Sequence, residues 1–294
     1  MITSVNTPLV RLTNLFPEAQ VYAKCEFLAP SGSFKIHGAK HLLDRLSQES
    51  PRRTLVVPSM GNTALGAAFG AKAYGFSMVG VVPQTISKAK DEKLHALGVE
   101  LVKIDGGGSE LLSRAKTLAE ERRGYFVHPH LDSQWTDGYS TIAQQIVRGL
   151  PDCRTLIFPV GGGGLLMGLT EYVFQNNLPI KLVACEAHNF PTYARYDHVR
   201  TKTIADGLML DIPHPKVQQR IAEMSLSIHL INEEDIRRSM RELYAKHGFV
   251  VEPSSAITIA CTQKLLGKME QPICVILTGG NISVEDFDRL IAAD

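Results

Sequence analysis

One lysine stands where it could act as a nucleophile or a base. Lys35 closes the segment Ser31-Gly-Ser-Phe-Lys, and Ser33 is typical of a helix start. The positive end of a helix dipole disfavours a cation at that point. The placement therefore indicates a chemical task, although such a lysine alone is more often a solvated first-turn residue. A lowered pKa would help the amine to act as a nucleophile and as a base.

A glycine-rich loop could bind an anion. An apolar run at residues 156–160 is followed by four consecutive glycines: Gly161, Gly162, Gly163 and Gly164. A helix-like run comes next, and free amides at a helix N-terminus attract negative charge. The dinucleotide fingerprint fails because Leu166 and Met167 stand where it needs its last glycine. A single phosphate monoester fits this loop better, and a merely tight turn is the structural alternative.

Two other polar turns also follow apolar runs. The first turn follows residues 54–58 and consists of Ser59, Met60, Gly61, Asn62 and Thr63. It is either a structural helix cap or a loop that binds a substrate carboxylate, with Asn62 reaching a cofactor oxygen. Thr278 follows the run at 273–277, and open α/β sheets bind ligands at the ends of their strands. An ordinary turn hydroxyl is the alternative for Thr278.

An amine, a polar turn and a glycine loop are together the set that pyridoxal phosphate needs. The lysine would attach the cofactor covalently, the loop would hold its phosphate, and the turns would contact ring and substrate. The sequence therefore predicts an enzyme. Two other classes stay open: a catalytically silent protein that stores or senses the cofactor, and a nucleotide-binding α/β module that lacks it.

Strand-like and helix-like runs alternate along the chain. The strand-like runs are residues 21–27, 54–58, 78–83, 99–104, 125–128, 155–160, 181–185 and 273–277. The helix-like runs are residues 61–74, 87–97, 109–123, 139–148 and 165–175. Several strand-like runs are continuously apolar, as expected for a parallel sheet covered on both faces. The alternation predicts an open, doubly wound α/β fold.

Composition narrows the possible partners. The chain has 294 residues, of which 44% are hydrophobic, and its formal net charge is +1. That balance gives no reason to expect nucleic acid or an anionic membrane as a partner. The five cysteines are scattered, so we expect a reducing, cytoplasmic location rather than disulfides. Neither a secretory signal nor a membrane span is expected.

Seven short segments occur in a fixed order. They are TPLVRL at 7–12, SGSFK at 31–35, SMGN at 59–62, GGGG at 161–164, TIADG at 203–207, EP at 252–253 and TGGN at 278–281. Their set resembles the fold-type II pyridoxal phosphate enzymes, the tryptophan synthase β-subunit superfamily. Within it, the motifs are most similar to threonine/serine dehydratases and serine racemases.

This resemblance implies an architecture and a set of roles. Two open parallel-sheet α/β domains would hold the cofactor in the cleft between them. Residues 41–135 would form a small substrate-binding domain, and residues 1–40 and 136–294 a larger, discontinuous one. Lys35 would carry the cofactor and abstract the α-proton, while Asn62 would bond the ring's 3′ oxygen. The four glycines would hold the phosphate, and Thr278 would face the ring nitrogen.

The implied reaction is β-elimination from a hydroxy amino acid such as L-serine or L-threonine, which yields a 2-oxo acid and ammonia. Two departures leave alternatives open. Met60 stands where serine racemases have a proton-donating serine, and a thioether cannot carry that proton. Racemisation would then need another acid, such as Tyr139 or a water. Thr63 is more familiar from β-replacing enzymes of the cysteine synthase type and from threonine synthase.

Relatives of this kind supply two more expectations. Some bind a divalent cation, Mg²⁺ or Ca²⁺, beside the phosphate loop, and Glu186 and Asp206 are the candidate ligands here. Relatives are commonly homodimers, so a homodimer is expected. We also expect a hydroxyl partner such as Thr278 to leave the ring nitrogen unprotonated and the ring a weaker electron sink.

Overall fold

The computed structural model describes residues 2–49, 53–59, 61–86, 88–128, 130, 132–195 and 199–292. The expectations for Met60 lie outside these residues. The fold is α/β with two sheets built mainly from parallel strands, which confirms the predicted fold class. None of the helices within the described ranges is long and apolar enough to span a membrane.

The elements follow one another in a regular order. The strands are β1 (Leu9–Arg11), β2 (Val21–Cys25), β3 (Leu55–Pro58), β4 (Met78–Pro83), β5 (Glu100–Ile104), β6 (Tyr125–Phe126), β7 (Thr155–Pro159), β8 (Lys181–Ala187), β9 (Ser227–Ile231) and β10 (Ile273–Leu277). The helices are α1 (Lys35–Leu46), α2 (Asn62–Tyr74), α3 (Lys88–Ala96), α4 (Gly108–Glu121), α5 (Ser133–Thr136), α6 (Ser140–Gly149), α7 (Gly164–Gln175), α8 (Pro215–Glu223), α9 (Glu233–His247), α10 (Pro253–Leu265) and α11 (Val284–Ala292). Each predicted strand-like run contains a strand.

The sequence missed β1 and β9, which are the two edge strands of one sheet. An edge strand is covered less completely than a central one, so it carries more polar residues. Most residues of β1 and β9 are accordingly half-buried or exposed. Partial burial weakens the apolar pattern of both strands, although β5 and β6, the edge strands of the other sheet, were predicted with no buried residue.

Chain contacts divide the protein into two compact units. The first unit comprises Met1–Val5 and Ala29–Tyr139, and the second comprises Asn6–Leu28 and Ser140–Asp294. The predicted small domain of residues 41–135 and the larger domain of 1–40 and 136–294 stay a prediction.

The first unit contains a parallel sheet of four strands in the order β5-β4-β3-β6. Every residue of β3 and β4 is buried, as expected for strands covered on both faces. Helices α1 and α2 pack closely because α2 presents glycines to α1. A Cβ added at Gly66 would lie 2.8 Å from Lys35 Cβ, and one at Gly70 would lie 2.7 Å from Leu43 Cδ1.

The second unit contains six strands in the order β1-β2-β10-β7-β8-β9. All neighbours are parallel except β1 and β2. β10 and β7 lie side by side, with Ile273 opposite Thr155. Their carboxyl ends therefore meet at one edge of the sheet, which is the edge where open α/β sheets bind ligands.

Candidate active site

Lys35 is the first residue of α1, as the sequence predicted. The residue is half-buried, and burial lowers the pKa of its amine from 10.5 to about 8. Desolvation is the only cause, because no charged group of the described chain contributes to the shift. Burial favours the neutral form of an amine, which is the form that acts as a nucleophile or takes up a proton.

Two aromatic rings lie beside this amine. Lys35 Nζ is 4.6 Å from the ring centroid of Phe34 and 5.5 Å from that of Tyr139. Trp135 Nε1 donates a hydrogen bond to Tyr139 Oη, and both residues are fully buried. Burial also raises the pKa of Tyr139, so its phenol stays protonated. The rings attract the ammonium form weakly and give the neutral amine an apolar surround.

The turn before α2 lies next to Lys35 within the first unit. Gly66 meets Lys35 Cβ and stands one helical turn after Asn62, the first residue of α2. Ser59 Oγ accepts a hydrogen bond from the Gly61 amide at 3.2 Å, and this bond shapes the turn. The first turn of α2 and the lysine of α1 are thus held together by the close packing of the two helices.

The glycine loop has a backbone that only glycine adopts easily. Gly163 is the N-cap of α7 and has a φ of +83°. A Cβ there would lie 2.4 Å from Val217 Cγ2, and a Cβ at Gly161 would lie 2.9 Å from Leu208 Cα. The loop is therefore a narrow backbone turn, and it leads into the N-terminal amides of α7. Those amides have no partner within the helix and can bind an anion.

A buried hydroxyl lies near the glycine loop. Ser254, in the first turn of α10, is 7% exposed, and its Oγ has no hydrogen-bond partner in the part of the chain that the structure describes. A Cβ added at Gly207 would lie 2.9 Å from this oxygen, and the adjoining Leu208 contacts Gly161. Ser254 has no evident role in the sequence beyond its place at the start of α10, directly after the EP segment at 252–253. Its nearness to the loop depends on contacts between distant segments that no local pattern reveals.

Thr278 lies at the carboxyl end of β10, on the same sheet edge as the glycine loop. The residue is 5% exposed, and its Oγ1 is 3.1 Å from Ser255 Oγ. The structure thus brings the predicted phosphate loop and the predicted ring-nitrogen partner to one edge of the second unit. Ser255, which contacts Thr278 and Gly279, was not predicted to lie there.

The two candidate metal ligands differ in their surroundings. The buried Glu186 carboxylate accepts backbone N–H groups of Thr192, Tyr193 and Ala194 at 3.0–3.2 Å. Asp206 is exposed. Within the described parts of the chain, no three His, Cys, Asp or Glu side chains come close enough together to hold a metal ion. Glu186 therefore anchors the loop after β8.

Each unit offers groups that suit pyridoxal phosphate. In the second unit, the α7 N-terminal amides and Ser254 Oγ suit its phosphate, and Ser254 Oγ has no hydrogen-bond partner among the described residues. In the first unit, the partly neutral amine of Lys35 suits its aldehyde. Ser33 Oγ, two residues before Lys35, is also buried and has no hydrogen-bond partner within the described ranges. An unsatisfied buried hydroxyl costs about 1–3 kcal/mol, which a bound ligand would offset.

Known proteins resemble this chain along nearly its whole length. The family described as "Pyridoxal-phosphate dependent enzyme" matches residues 3–279. An L-threonine ammonia-lyase of Thermotoga maritima is 30% identical over 279 residues, which cover 92% of this chain and 70% of the relative.

Solved structures of other proteins are also similar to this chain. A T.th. threonine deaminase is 27% identical with a TM-score of 0.83, covering 95% of this chain and 93% of that one. A serine racemase from Dictyostelium discoideum is 26% identical with a TM-score of 0.86, covering 95% and 94%. These matches confirm the resemblance drawn from the motifs. The chain belongs to the family of pyridoxal-phosphate dependent enzymes.

Proposed function

We propose that this protein is an ammonia-lyase that converts L-threonine or L-serine into a 2-oxo acid and ammonia with the help of pyridoxal phosphate. The observation that carries the proposal is the desolvated amine of Lys35 at the start of α1. Relatives named for threonine ammonia-lyase and threonine deaminase support the choice of reaction.

Lys35 would act as the base of this reaction. Lowering its pKa from 10.5 to about 8 raises the neutral fraction at pH 7 about 300-fold. The neutral amine would take the proton from the substrate's Cα, and the ammonium group so formed could return a proton to the β-hydroxyl, which leaves as water. When bound, pyridoxal phosphate supplies the electron sink for the pair left by the Cα–H bond. The released enamine takes up water and loses ammonia, which balances the reaction.

The other predicted residues would bind and orient. Backbone amides at Gly161, Gly162, Gly163 and Gly164 would hold the phosphate, and the hydroxyl of Ser254 adds a donor there. Ser59, Gly61, Asn62 and Thr63 would bind the substrate carboxylate, and Asn62 would also bond the ring's 3′ oxygen. Thr278 would face the ring nitrogen.

The test is turnover by the holoprotein. Purified protein loaded with pyridoxal phosphate is mixed with L-threonine or L-serine, and 2-oxo acid and ammonia are both measured. We expect the two products in equal amounts from the wild type and none from Lys35→Ala. Lys40→Ala is the matched control, since Lys40 lies on the same helix and pairs with Asp44 at 2.6 Å.

Three other results would replace this proposal. Product that forms only when a thiol or amine nucleophile is added would mean β-replacement. Appearance of the other enantiomer without ammonia would mean racemisation. Bound cofactor with no turnover of any amino acid would mean a storage or sensing protein.

Three finer expectations complete the proposal. A homodimer in the cytoplasm remains our expectation, and light scattering of the purified protein tests the dimer. A divalent cation bound by Glu186 and Asp206 is the third expectation. Glu186 would have to release the three amides that it now binds.

A further inference from the structure

One carboxylate holds the segment that backs the glycine loop. This segment, the strap, comprises residues 203–208. Glu233, the first residue of α9, accepts a hydrogen bond from Thr203 Oγ1 at 2.6 Å and another from the Ile204 amide at 2.8 Å. Thr203 Oγ1 in turn accepts a hydrogen bond from the Ala205 amide at 3.1 Å. Three consecutive residues of the strap are therefore fixed to the start of α9, either directly or through one hydroxyl.

The directions of these bonds follow from the chemistry of the groups. A carboxylate has no hydrogen to donate, so the threonine hydroxyl and the backbone amide must be the donors. Hydrogen bonds to a charged acceptor are roughly twice as strong as those between neutral groups. The strap thus has a strong polar anchor in addition to the burial of Ala205 and Leu208 in the core of the second unit.

The far end of the strap packs against the glycine loop. A Cβ added at Gly161 would lie 2.9 Å from Leu208 Cα and 3.1 Å from Gly207 O. A Cβ added at Gly207 would lie 2.9 Å from Ser254 Oγ. Backbone atoms of the strap therefore touch both the loop and the hydroxyl that would bind the phosphate, so a shift of the strap would displace one or both of them.

We propose that Glu233 is a positioning residue for the cofactor's phosphate: by anchoring the strap, it keeps the far end of the strap against Gly161 and Ser254 Oγ. This inference rests on the proposed function, in which the glycine loop and Ser254 hold the phosphate. It gives an acidic side chain a contribution that favours the binding of an anion, because the hydrogen bonds of Glu233 set the shape of the site. Coulomb repulsion alone would give the opposite sign, since like charges repel.

The test measures the affinity of the purified protein for pyridoxal phosphate by fluorescence titration, and the phosphorus NMR shift of the bound cofactor. Glu233→Ala should bind the cofactor about 10-fold more weakly and move the phosphorus resonance. Glu233→Gln should stay close to the wild type, because its amide oxygen can accept the Ile204 amide while its nitrogen donates to Thr203 Oγ1. Wild-type affinity in Glu233→Ala, or tighter binding in both variants, would overturn the inference.

Thr203→Val tests the other end of the same anchor and leaves the α9 sequence unchanged. It removes the hydroxyl that joins Glu233 to the Ala205 amide. This variant should also weaken cofactor binding and move the phosphorus resonance, and it keeps the inference testable if Glu233→Ala does not fold. An unchanged affinity and an unchanged resonance in Thr203→Val would contradict the inference.

Asn232→Ala is the matched control for the stability of α9. Asn232 precedes Glu233 and caps the helix by accepting the Asp235 amide at 2.8 Å. Its replacement should lower the melting temperature without changing the affinity or the phosphorus resonance. An equal loss of affinity in this variant would mean that α9 acts through overall stability alone, and the inference would be wrong while the proposed function stands. A wild type that binds no pyridoxal phosphate would instead defeat the proposed function, and the inference with it.

Discussion

A methyl group added at Gly163 should destabilise the protein through two separable effects. The first is backbone strain, since φ is +83° and a left-handed conformation costs a non-glycine residue about 1–2 kcal/mol. The second is a collision, since the new Cβ would lie 2.4 Å from Cγ2 of the buried Val217. Overpacking of this kind costs about 1–3 kcal/mol. Gly163→Ala should therefore lower the free energy of unfolding by about 2–5 kcal/mol.

Gly248→Ala isolates the first effect. Gly248 ends α9 with a φ of +67°, and a Cβ there would meet nothing within 4 Å. This variant should lose only about 1–2 kcal/mol. The second effect is isolated by Val217→Ala, made alone and together with Gly163→Ala. Truncating Val217 should cost less in the Gly163→Ala background, because it removes the colliding carbons, and the coupling should be about 0.5–3 kcal/mol.

The assay is urea unfolding of the cofactor-free protein, followed by far-UV circular dichroism. Cofactor must be absent because a ligand that binds only the folded state adds its own stabilisation. Hydrogen exchange of the α7 amides reports the second unit alone, which guards against separate unfolding of the two units. A Gly163→Ala loss no larger than that of Gly248→Ala, or a coupling of zero with Val217→Ala, would refute the reasoning.

Three further predictions test the candidate site. In the cofactor-free protein, the free energy of unfolding should rise between pH 8 and 10.5 by about 3 kcal/mol more in the wild type than in Lys35→Met. The reason is that the folded state binds the proton of the Lys35 amine less tightly than the unfolded state does. If urea unfolding gave the same pH dependence for both proteins, the lowered pKa would be contradicted. Ser254→Ala and Ser239→Ala each remove a buried hydroxyl that has no hydrogen-bond partner among the described residues, so neither should destabilise the cofactor-free protein. Only Ser254→Ala should weaken cofactor binding, by about 10-fold or more in a fluorescence titration; equal affinity in both variants would count against its role. Gly66→Ala should displace Lys35 and reduce turnover together with melting temperature, whereas Gly108→Ala, whose Cβ meets open space, should change neither.

Much of the fold was predictable because central strands carry a strong signal. β3, β4, β7 and β10 are buried along their whole lengths, so their sequences are short apolar runs that end in glycine or polar turns. The edge strands β1 and β9 were missed because their residues are mostly half-buried or exposed. β5 and β6 are also edge strands without a fully buried residue, yet their runs at 99–104 and 125–128 were predicted, so partial burial weakens the pattern without abolishing it.

The site was predictable only in part. Its motifs lie in turns after apolar runs, and this local arrangement marked Lys35, the glycine loop and Thr278. The partners of those residues were not predictable. Ser255 reaches Thr278 across 23 positions of the chain, and Ser254 meets the segment at Gly207. Such contacts depend on how α10 packs against the sheet, and this packing cannot be predicted from a short stretch of sequence.

A comparison of Lys24 with Lys35 shows what the sequence determines and what the tertiary structure determines. By itself the sequence determined the α/β class, the order of most elements and the motifs of a phosphate-binding cofactor enzyme, because these follow from periodicity and from local turn chemistry. The tertiary structure decided which of the two amines is engaged in hydrogen bonds, since burial lowers the pKa of both. Lys24 Nζ is held by Thr7 O at 2.6 Å and Gln145 Oε1 at 2.7 Å, with Glu26 3.7 Å away. Lys35 has aromatic rings beside it and a pKa of about 8, because burial without a charged partner favours the neutral amine.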